Sequence, residues 1–275
     1  MGRRPRVEYS GAIYHVIQRG NNREYIFQRP EDKLFLMNEL QKRKRLKEFL
    51  LFGYVLMGNH YHLILQTTGI SLSKLMHLIN SSYGRYYNKS RKRTGHIFNG
   101  RYKAIPIQNE QYLFAVLRYI HQNPVKAGIC QRVQHYKWSS DIDYRDNQEG
   151  LVDINILLNM MSDNRAEAIK KYSAYVEQED EEEYDEIDVL GDESFVLAIQ
   201  PSKKSPTRKD LDQILRDTNL SSADFELLKR GSRRRDLIRY KVDYVREALL
   251  QGYTLKEIGE NIGISATAVI KLTKR

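Results

Sequence analysis

The order of strand-like and helix-like segments in the amino-terminal half constrains the fold more than any other feature of this chain. Strand-like composition occurs at residues 12–19, 49–57, 60–66 and 101–107. Helical patterns occur at residues 30–50, 71–88 and 109–122. This order, strand–helix–strand–strand–helix–strand with one further helix, fits an antiparallel sheet covered by helices on one face. The sequence therefore predicts an α+β fold of the ferredoxin-like plan with one extra carboxy-terminal helix.

Charge divides the chain into three parts. Lys and Arg outnumber Asp and Glu by 25 to 11 in residues 1–150 and by 17 to 10 in residues 201–275, whereas residues 151–200 carry 3 against 14. Cationic side chains release the counterions that are condensed on phosphates, so basic modules indicate a polyanionic partner. The alternative, from charge alone, is that these residues only keep the protein soluble.

These shifts in charge and pattern predict three regions. We expect a domain at residues 1–145, an acidic linker region at 146–205 with a short helix at 163–176, and a helical domain at 206–275. The densest acidic run, residues 177–188, has nine carboxylates in twelve positions, and such runs are usually solvated. An alternative interpretation is that this run shields a basic groove when no DNA is present.

Several classes of protein are disfavoured by composition. The only cysteine is Cys130, so no internal disulfide can form and a reducing cytosol fits best. No stretch approaches the run of about 18 apolar residues that a membrane helix needs, so no membrane partner is expected. The basic amino terminus has no apolar run behind it and is not a secretory signal. We expect a cytoplasmic protein.

The motif His60-Tyr61-His62 is the first candidate for chemistry. Because side chains alternate along a strand, His60 and His62 point to one face, about 7 Å apart, while Tyr61 points to the other. Two imidazoles at this spacing can hold one metal ion. The alternative for this motif alone is a pair of surface histidines.

The helix at residues 109–122 supplies the second candidate. Tyr119 lies at the edge of its apolar stripe, and Asn123 lies one turn further on the same side. Because Pro124 disfavours helical geometry at Asn123, we expect the helix to end there and the Asn123 amide to face a ligand. The alternative for Tyr119 alone is an ordinary packing role.

These motifs carry a family resemblance. The His-Tyr-His motif, residues 119–128 (YIHQNPVKAG), and the segments at 11–16, 95–103 and 138–140 resemble the single-tyrosine HUH-type transposases. They are most similar to the REP-associated tyrosine transposases of bacteria, over about residues 4–140. The resemblance implies the HUH nuclease fold, Tyr119 as nucleophile, His60 and His62 as metal ligands, and Asn123 as third ligand where relatives often have Gln. One departure is Gly58, where many relatives have Pro.

The residue types fit this chemistry. A divalent ion offsets the charge with which a phosphodiester repels nucleophiles. Asn is a poor zinc ligand, so Mg²⁺ or Mn²⁺ is expected, with Mn²⁺ favoured by the histidines. Attack by Tyr119 would leave a 5′-phosphotyrosine and a free 3′-hydroxyl. The covalent link conserves the bond energy, so rejoining the strand needs no ATP.

A basic stretch with many aromatic residues, residues 83–103, is the predicted DNA-binding surface. Lys and Arg suit phosphates and Tyr rings suit unstacked bases, which favours single strands and hairpins as partners. The candidates are Arg85, Tyr86, Arg91, Lys92, Arg93, Arg101 and Lys103, together with Arg3 and Arg4 of a basic arm at residues 2–6. The alternative is an ordinary basic helix face and loop.

The carboxy-terminal region predicts a helix-turn-helix. Thr254 and Glu257 form a capping box, Gly259 suits a close helix contact, and Gly263 suits the turn. Ser265 would cap a recognition helix that exposes Thr267, Lys271, Lys274 and Arg275. The region from about residue 233 resembles the carboxy-terminal DNA-binding domain of the bacterial replication initiator DnaA. We therefore predict that it binds duplex DNA.

Three hypotheses about function follow from the sequence. The preferred one is a single-strand DNA endonuclease and strand-transferase acting at hairpin-bearing elements such as REP sequences, in the bacterial cytoplasm and associated with the nucleoid. The second is a DNA-binding regulator that keeps the fold without cutting. The third is another kind of metal hydrolase that uses the two histidines. The oligomeric state, monomer or homodimer, stays open.

Overall fold

The chain divides into two compact units, residues 1–201 and 202–275, and each is described by itself. The computed structural model describes residues 8–9, 11–179, 182–199, 209–232 and 234–273. The predicted basic arm with Arg3 and Arg4, and the residues Lys274 and Arg275, lie outside the described residues.

The first unit is built on one four-stranded sheet. Its strands are β1 (Ile13–Arg19), β2 (Phe49–Leu56), β3 (His60–Thr67) and β4 (Lys103–Ile107). Their order across the sheet is β2-β3-β1-β4, and every neighbouring pair is antiparallel. This arrangement confirms the predicted α+β fold with a ferredoxin-like sheet, because β1 and β3 lie at the centre and the two crossover connections carry helices.

Three helices complete this plan. They are α1 (Pro30–Arg45), α2 (Leu72–Ser90) and α3 (Glu110–Lys126). The α1 helix ends five residues earlier than predicted, and Lys47 just beyond it adopts a positive φ of 54°. The α2 helix begins as predicted, because the Ser71 side chain accepts a hydrogen bond from the amide of Lys74.

Helices cover both faces of the sheet, which corrects the prediction of helices on one face. On one face, the Tyr61 hydroxyl donates to Asn80 of α2 at 2.5 Å. On the opposite face, a Cβ added to Gly53 of β2 would lie 2.6 Å from Leu117 and 3.2 Å from Ile120 of α3. The sequence signal for this arrangement was the nearly unbroken apolar run of β2, since a strand buried on both faces has no alternation.

The α3 helix runs through Pro124 instead of ending at Asn123-Pro124, as the sequence had predicted. Beyond the proline, the amide of Ala127 donates to the Asn123 carbonyl at 2.9 Å, so helical bonding resumes within one turn. Gly128, with a φ of 67°, then ends the helix in the left-handed conformation. Asn123 is therefore a helical residue, and its backbone does not turn away from Tyr119.

The segment after residue 140 includes the region at 146–205 that was predicted to be an acidic linker with one short helix at 163–176, and it contains more helices than that one. It forms α4 (Asp141–Arg145), α5 (Ile154–Met161), α6 (Arg165–Val176) and α7 (Glu193–Ile199). Leu157 of α5 and Tyr172 of α6 are buried in the same core as the sheet. Tyr172 donates to Asp141 at 2.8 Å, and its oxygen lies 2.9 Å from His121 Nδ1. Apolar residues between the charged runs explain this docking.

The second unit is helical and has its own core. Its helices are α8 (Leu211–Arg216), α9 (Ser222–Lys229), α10 (Ile238–Leu250), α11 (Leu255–Asn261) and α12 (Ala266–Thr273). The capping box of Thr254 and Glu257 is present, and Gly263 lies in the turn with a φ of 64°. Thr267 and Lys271 are exposed on α12. No helix among the described residues of either unit is long and apolar enough to cross a membrane.

We expect Gly53→Ala to destabilise the first unit by about 1–3 kcal/mol, because the new methyl group would overlap Leu117 where α3 packs on β2. Equilibrium urea unfolding, followed by the fluorescence of the single Trp138, measures this change. Gly150→Ala is the matched control, since no atom lies within 4 Å of its added Cβ. Equal midpoints for the two variants would contradict the close packing of α3 on the sheet.

Candidate active site

The two histidines of β3 lie on the sheet face that α3 covers. His62 is fully buried and His60 is half-buried, and their ring centroids are 5.0 Å apart. Tyr61 between them points to the opposite face, where it meets α2. The strand alternation predicted from the sequence therefore places both imidazoles side by side. His62 is not a surface histidine, because Tyr119 of α3 and Asp185 of the segment after α6 lie against it.

A third histidine, His15 of β1, lies against this pair. Its Nε2 atom is 2.8 Å from His62 Nδ1, a hydrogen-bond distance, and the two rings are stacked with centroids 5.1 Å apart. The contact arises because β1 pairs with β3 in a register that places Ile17 opposite His62. Sequence reasoning gave His15 no chemical role. The available signal was its position in the segment at residues 11–16 that carries the family resemblance.

Tyr119 of α3 faces these imidazoles. Its ring centroid is 6.1 Å from the centroids of both His15 and His62, and both pairs meet nearly edge to face. Tyr119 is 2% exposed, and its hydroxyl donates to Glu183 at 3.2 Å. Burial, together with the neighbouring Asp185 and Glu183 carboxylates, raises the pKa of Tyr119. The structure thus places Tyr119 beside His62, one of the two histidines that the sequence had grouped with it.

Asn123 lies one turn after Tyr119 and keeps its side chain beside it. The Asn123 Nδ2 atom donates to the Tyr119 carbonyl at 3.1 Å. Its amide also lowers the pKa of Tyr119 by hydrogen bonding, against the larger raising effect of burial. Because α3 continues through Pro124, this amide is oriented by the helix and not by a free chain end.

Burial keeps the imidazoles in the form that binds metals. It lowers the pKa of His15 and of His60 to about 4, with additional lowering by Lys103 and Arg19 respectively. Burial and the neighbouring His15 and His60 also hold the pKa of His62 well below its usual value. All three rings are therefore neutral at pH 7, and a neutral imidazole has a lone pair for a cation.

Two groups of residues around His62 have the composition of a cation site. His15, His62 and Asp185 each offer one ligand atom, and these atoms lie within 4.8 Å of one another. The second group contains His60 and His62. Asn59 Oδ1 lies 2.6 Å from His60 Nδ1, and His15 Nε2 lies 2.8 Å from His62 Nδ1. Both anchored rings then have Nε2 as the remaining ligand atom. Within the described part of the chain, His62 Nε2 is buried without a hydrogen-bond partner.

The predicted DNA-binding residues fall into two classes. Arg85, Lys92 and Arg101 are exposed, and Lys103 is half-buried beside Asp185. By contrast, Arg91 makes two hydrogen bonds to the buried Asp32, at 2.6 and 3.1 Å.

Other members of the same stretch are also engaged within the protein. Tyr86 stacks on Phe35 with centroids 4.0 Å apart, and Arg93 pairs with Glu24 at 3.2 Å. The other tyrosines of residues 83–103 do not offer rings for base stacking, because Tyr83, Tyr87 and Tyr102 are buried. The exposed arginines and lysines, not the tyrosines, therefore make up the accessible part of this surface.

Comparison with known proteins found similarities to transposases. Residues 8–123 match the family model described as transposase IS200 like. A solved REP-associated tyrosine transposase, bound to a REP hairpin, is 22% identical over 56% of this chain and 90% of its own, with a TM-score of 0.46. A putative transposase from Deinococcus radiodurans R1 is 17% identical over 44% of this chain and 95% of its own, with a TM-score of 0.31. No curated protein matches.

The family match spans β1 to α3 and contains every residue that the sequence had grouped for catalysis: His60, His62, Tyr119 and Asn123. His15, which the structure adds to them, lies within it as well. Residues 8–123 of this chain are thus similar to the IS200-like transposase family.

Proposed function

We propose that this protein is a DNA transposase that breaks and rejoins single-stranded DNA through a covalent bond to Tyr119, at sequences that carry hairpins. The observation that carries the proposal is the position of the Tyr119 ring, 6.1 Å from both His15 and His62. A tyrosine with only a packing role has no need of buried imidazoles around its ring. Single strands and hairpins are proposed as substrates on the family resemblance.

The covalent step needs one nucleophile and one leaving group. The Tyr119 oxygen attacks phosphorus, the new bond is a 5′-phosphotyrosine, and the broken bond releases a 3′-hydroxyl. The phenol proton leaves Tyr119, because the neutral hydroxyl is a weak nucleophile, and the departing 3′-oxygen takes up one proton, so the step neither gains nor loses a proton. In the reverse step a 3′-hydroxyl attacks the phosphotyrosine and releases Tyr119. Both directions exchange one phosphodiester for another, so no nucleotide cofactor is required.

A divalent cation, Mg²⁺ or Mn²⁺, fits beside this tyrosine. We assign His60 and His62 as its ligands, with Asn123 as the third. The support is the matched anchoring of the two rings: Asn59 holds Nδ1 of His60 and His15 holds Nδ1 of His62. Outer partners of this kind orient metal-binding histidines and fix their tautomers. When bound, the cation would offset the negative charge of the scissile phosphate.

The exposed cations and the second unit extend the proposal to DNA binding. Arg85, Lys92 and Arg101 are the accessible members of the predicted DNA-binding surface. Thr267 and Lys271 lie exposed on α12, which suits contact with a major groove. We assign single-strand and hairpin binding to the first unit and duplex docking to the second.

Replacement of the nucleophile tests the central step. We expect wild-type protein, incubated with a labelled single-stranded REP-type hairpin and Mn²⁺, to form an adduct that survives denaturing electrophoresis. Tyr119→Phe should form none, because it has no attacking oxygen, and should bind the same DNA with near-normal affinity. Tyr112→Phe is the matched control on the same helix and should form the adduct. An adduct with Tyr119→Phe, or none with the wild type, would reject the proposal, and the latter would favour a DNA-binding regulator.

Metal binding provides a second test. We expect His60→Ala and His62→Ala to weaken Mn²⁺ binding at least about tenfold, since each removes a direct ligand. Titration of Mn²⁺ followed by electron paramagnetic resonance measures this affinity. His77→Ala, on the exposed surface of α2, should leave it unchanged. If His60→Ala keeps normal affinity for Mn²⁺ while His15→Ala and Asp185→Ala lose it, the ligands are instead His15, His62 and Asp185.

Separation of the two binding roles is the third test. We expect Thr267→Ala/Lys271→Ala to weaken binding to duplex DNA and to leave cleavage of short single strands unchanged. Lys256→Ala is the control, because Lys256 is exposed on α11, outside the proposed recognition helix. Fluorescence anisotropy gives the duplex affinity and single-turnover assays give the cleavage rate. Unchanged duplex binding in the double variant would remove the role assigned to α12.

A further inference from the structure

An acidic segment of the first unit is docked against the edge of the sheet. Residues 182–190, which we call the acidic strap, follow α6 and pass beside β4. The amide of Leu190 donates to the Pro106 carbonyl at 2.9 Å, and the amide of Gln108 donates to the Leu190 carbonyl at 2.9 Å. Leu190 is buried, so the strap is anchored by an apolar side chain as well as by backbone hydrogen bonds. A solvated linker would have neither.

The carboxylates of the acidic strap lie inside the candidate active site. Glu183 accepts a hydrogen bond from the Tyr119 hydroxyl at 3.2 Å. An Asp185 carboxylate oxygen lies 3.8 Å from His62 Nδ1. Between them, Tyr184 is buried and meets the Tyr119 ring edge to face, with centroids 5.1 Å apart. Three consecutive residues thus cover the tyrosine and its histidine from the same side.

The acidic strap also engages the cations that surround this site. The Arg19 guanidinium pairs with the Asp185 carboxylate. Lys103 donates to the Asp185 carbonyl at 2.8 Å, and Lys126 lies 3.4 Å from the Glu182 carbonyl. Guanidinium and ammonium groups bind carboxylates and phosphates with similar geometry. The groups that a DNA backbone would use are therefore satisfied by the protein's own chain.

We propose that the acidic strap occupies the path of single-stranded DNA, with the Asp185 carboxylate where the scissile phosphate binds. This inference rests on the proposed function of the site. It assigns Arg19 and Lys103 as the residues that position the phosphate, a role that the sequence suggested only for Lys103. DNA and the acidic strap then bind in a mutually exclusive manner, and cutting requires the strap to leave.

Asp185 has an alternative role with the opposite consequence. It belongs to the group of His15, His62 and Asp185 whose ligand atoms lie within 4.8 Å. If Asp185 were a metal ligand, its removal would weaken Mn²⁺ binding and slow cleavage. If it takes the place of phosphate, its removal leaves Mn²⁺ binding intact and favours DNA. One variant therefore separates the two roles.

The test compares two double variants of the full chain that lose the same charge. Glu183→Gln/Asp185→Asn neutralises the carboxylates in the site, whereas Asp163→Asn/Glu179→Gln neutralises two exposed carboxylates outside the acidic strap. We expect the first variant to bind a single-stranded hairpin roughly tenfold more tightly than the control in anisotropy titrations without divalent cation. Its single-turnover cleavage at limiting DNA with Mn²⁺ should be faster by a similar factor.

The contrary outcomes are distinct. Equal affinity of the two double variants for DNA would reject the acidic strap as a competitor, even if both form the Tyr119 adduct. Weaker Mn²⁺ binding with slower cleavage in the first variant would instead make Asp185 a metal ligand. Absence of any adduct in the wild type would reject the proposed function, whereas the affinity comparison does not depend on cutting.

Hydrogen exchange of the unmodified protein tests displacement directly. The amides of Leu190 and Gln108 form the bonds that anchor the acidic strap to β4. Saturating hairpin DNA, added in the presence of EDTA so that no cleavage occurs, should speed exchange at both amides. Amides in β3, such as that of Leu63, should remain protected. Unchanged protection of Leu190 in the DNA complex would overturn the proposal.

Discussion

The antiparallel pairing of β1 with β3 is the constraint on which the rest of the site depends. Its register places Ile17 opposite His62 and His15 opposite Ile64, so His15 and His62 lie on the same face and within hydrogen-bond distance. A shift by one residue would turn every side chain of a strand to the other face. The imidazoles would then point to α2, far from Tyr119. The geometry of the site is thus fixed by backbone hydrogen bonds in the centre of the sheet.

Covering this face with α3 has a consequence for charge. Neutral imidazoles tolerate burial, and His60 and His62 each have their Nδ1 atom held by a neighbour, which leaves Nε2 for a ligand. The basic residues at the rim, Arg19 and Lys103, need anionic partners. In this structure the partner is the protein's own acidic strap. The site that we propose for a polyanion is therefore closed by a polyanionic segment of the same chain.

Local periodicity predicted much of this architecture, and pairing between distant segments accounts for what it missed. The alternation of His60, Tyr61 and His62 and the capping box at Thr254 follow from adjacent residues. The partner of His62 could not be predicted in this way, because His15 lies 47 positions earlier and meets it only through strand register. The continuation of α3 through Pro124 was also not predicted, because the preference of Asn123 for non-helical geometry was outweighed by the packing of the whole helix. The sequence of the acidic run predicted its charge. It did not predict that the run docks on the sheet, because docking depends on a few apolar residues such as Tyr184 and Leu190.

The proposed mechanism requires a cation held by His60 and His62 in front of the Tyr119 hydroxyl. Anomalous diffraction from crystals of the protein with Mn²⁺ locates such an ion without reference to activity. We predict a single strong peak within coordination distance of Nε2 of both histidines, on the side that Tyr119 faces. A peak held by His15 and Asp185 with His60 turned away, or no peak near the Tyr119 hydroxyl at saturating Mn²⁺, would contradict it.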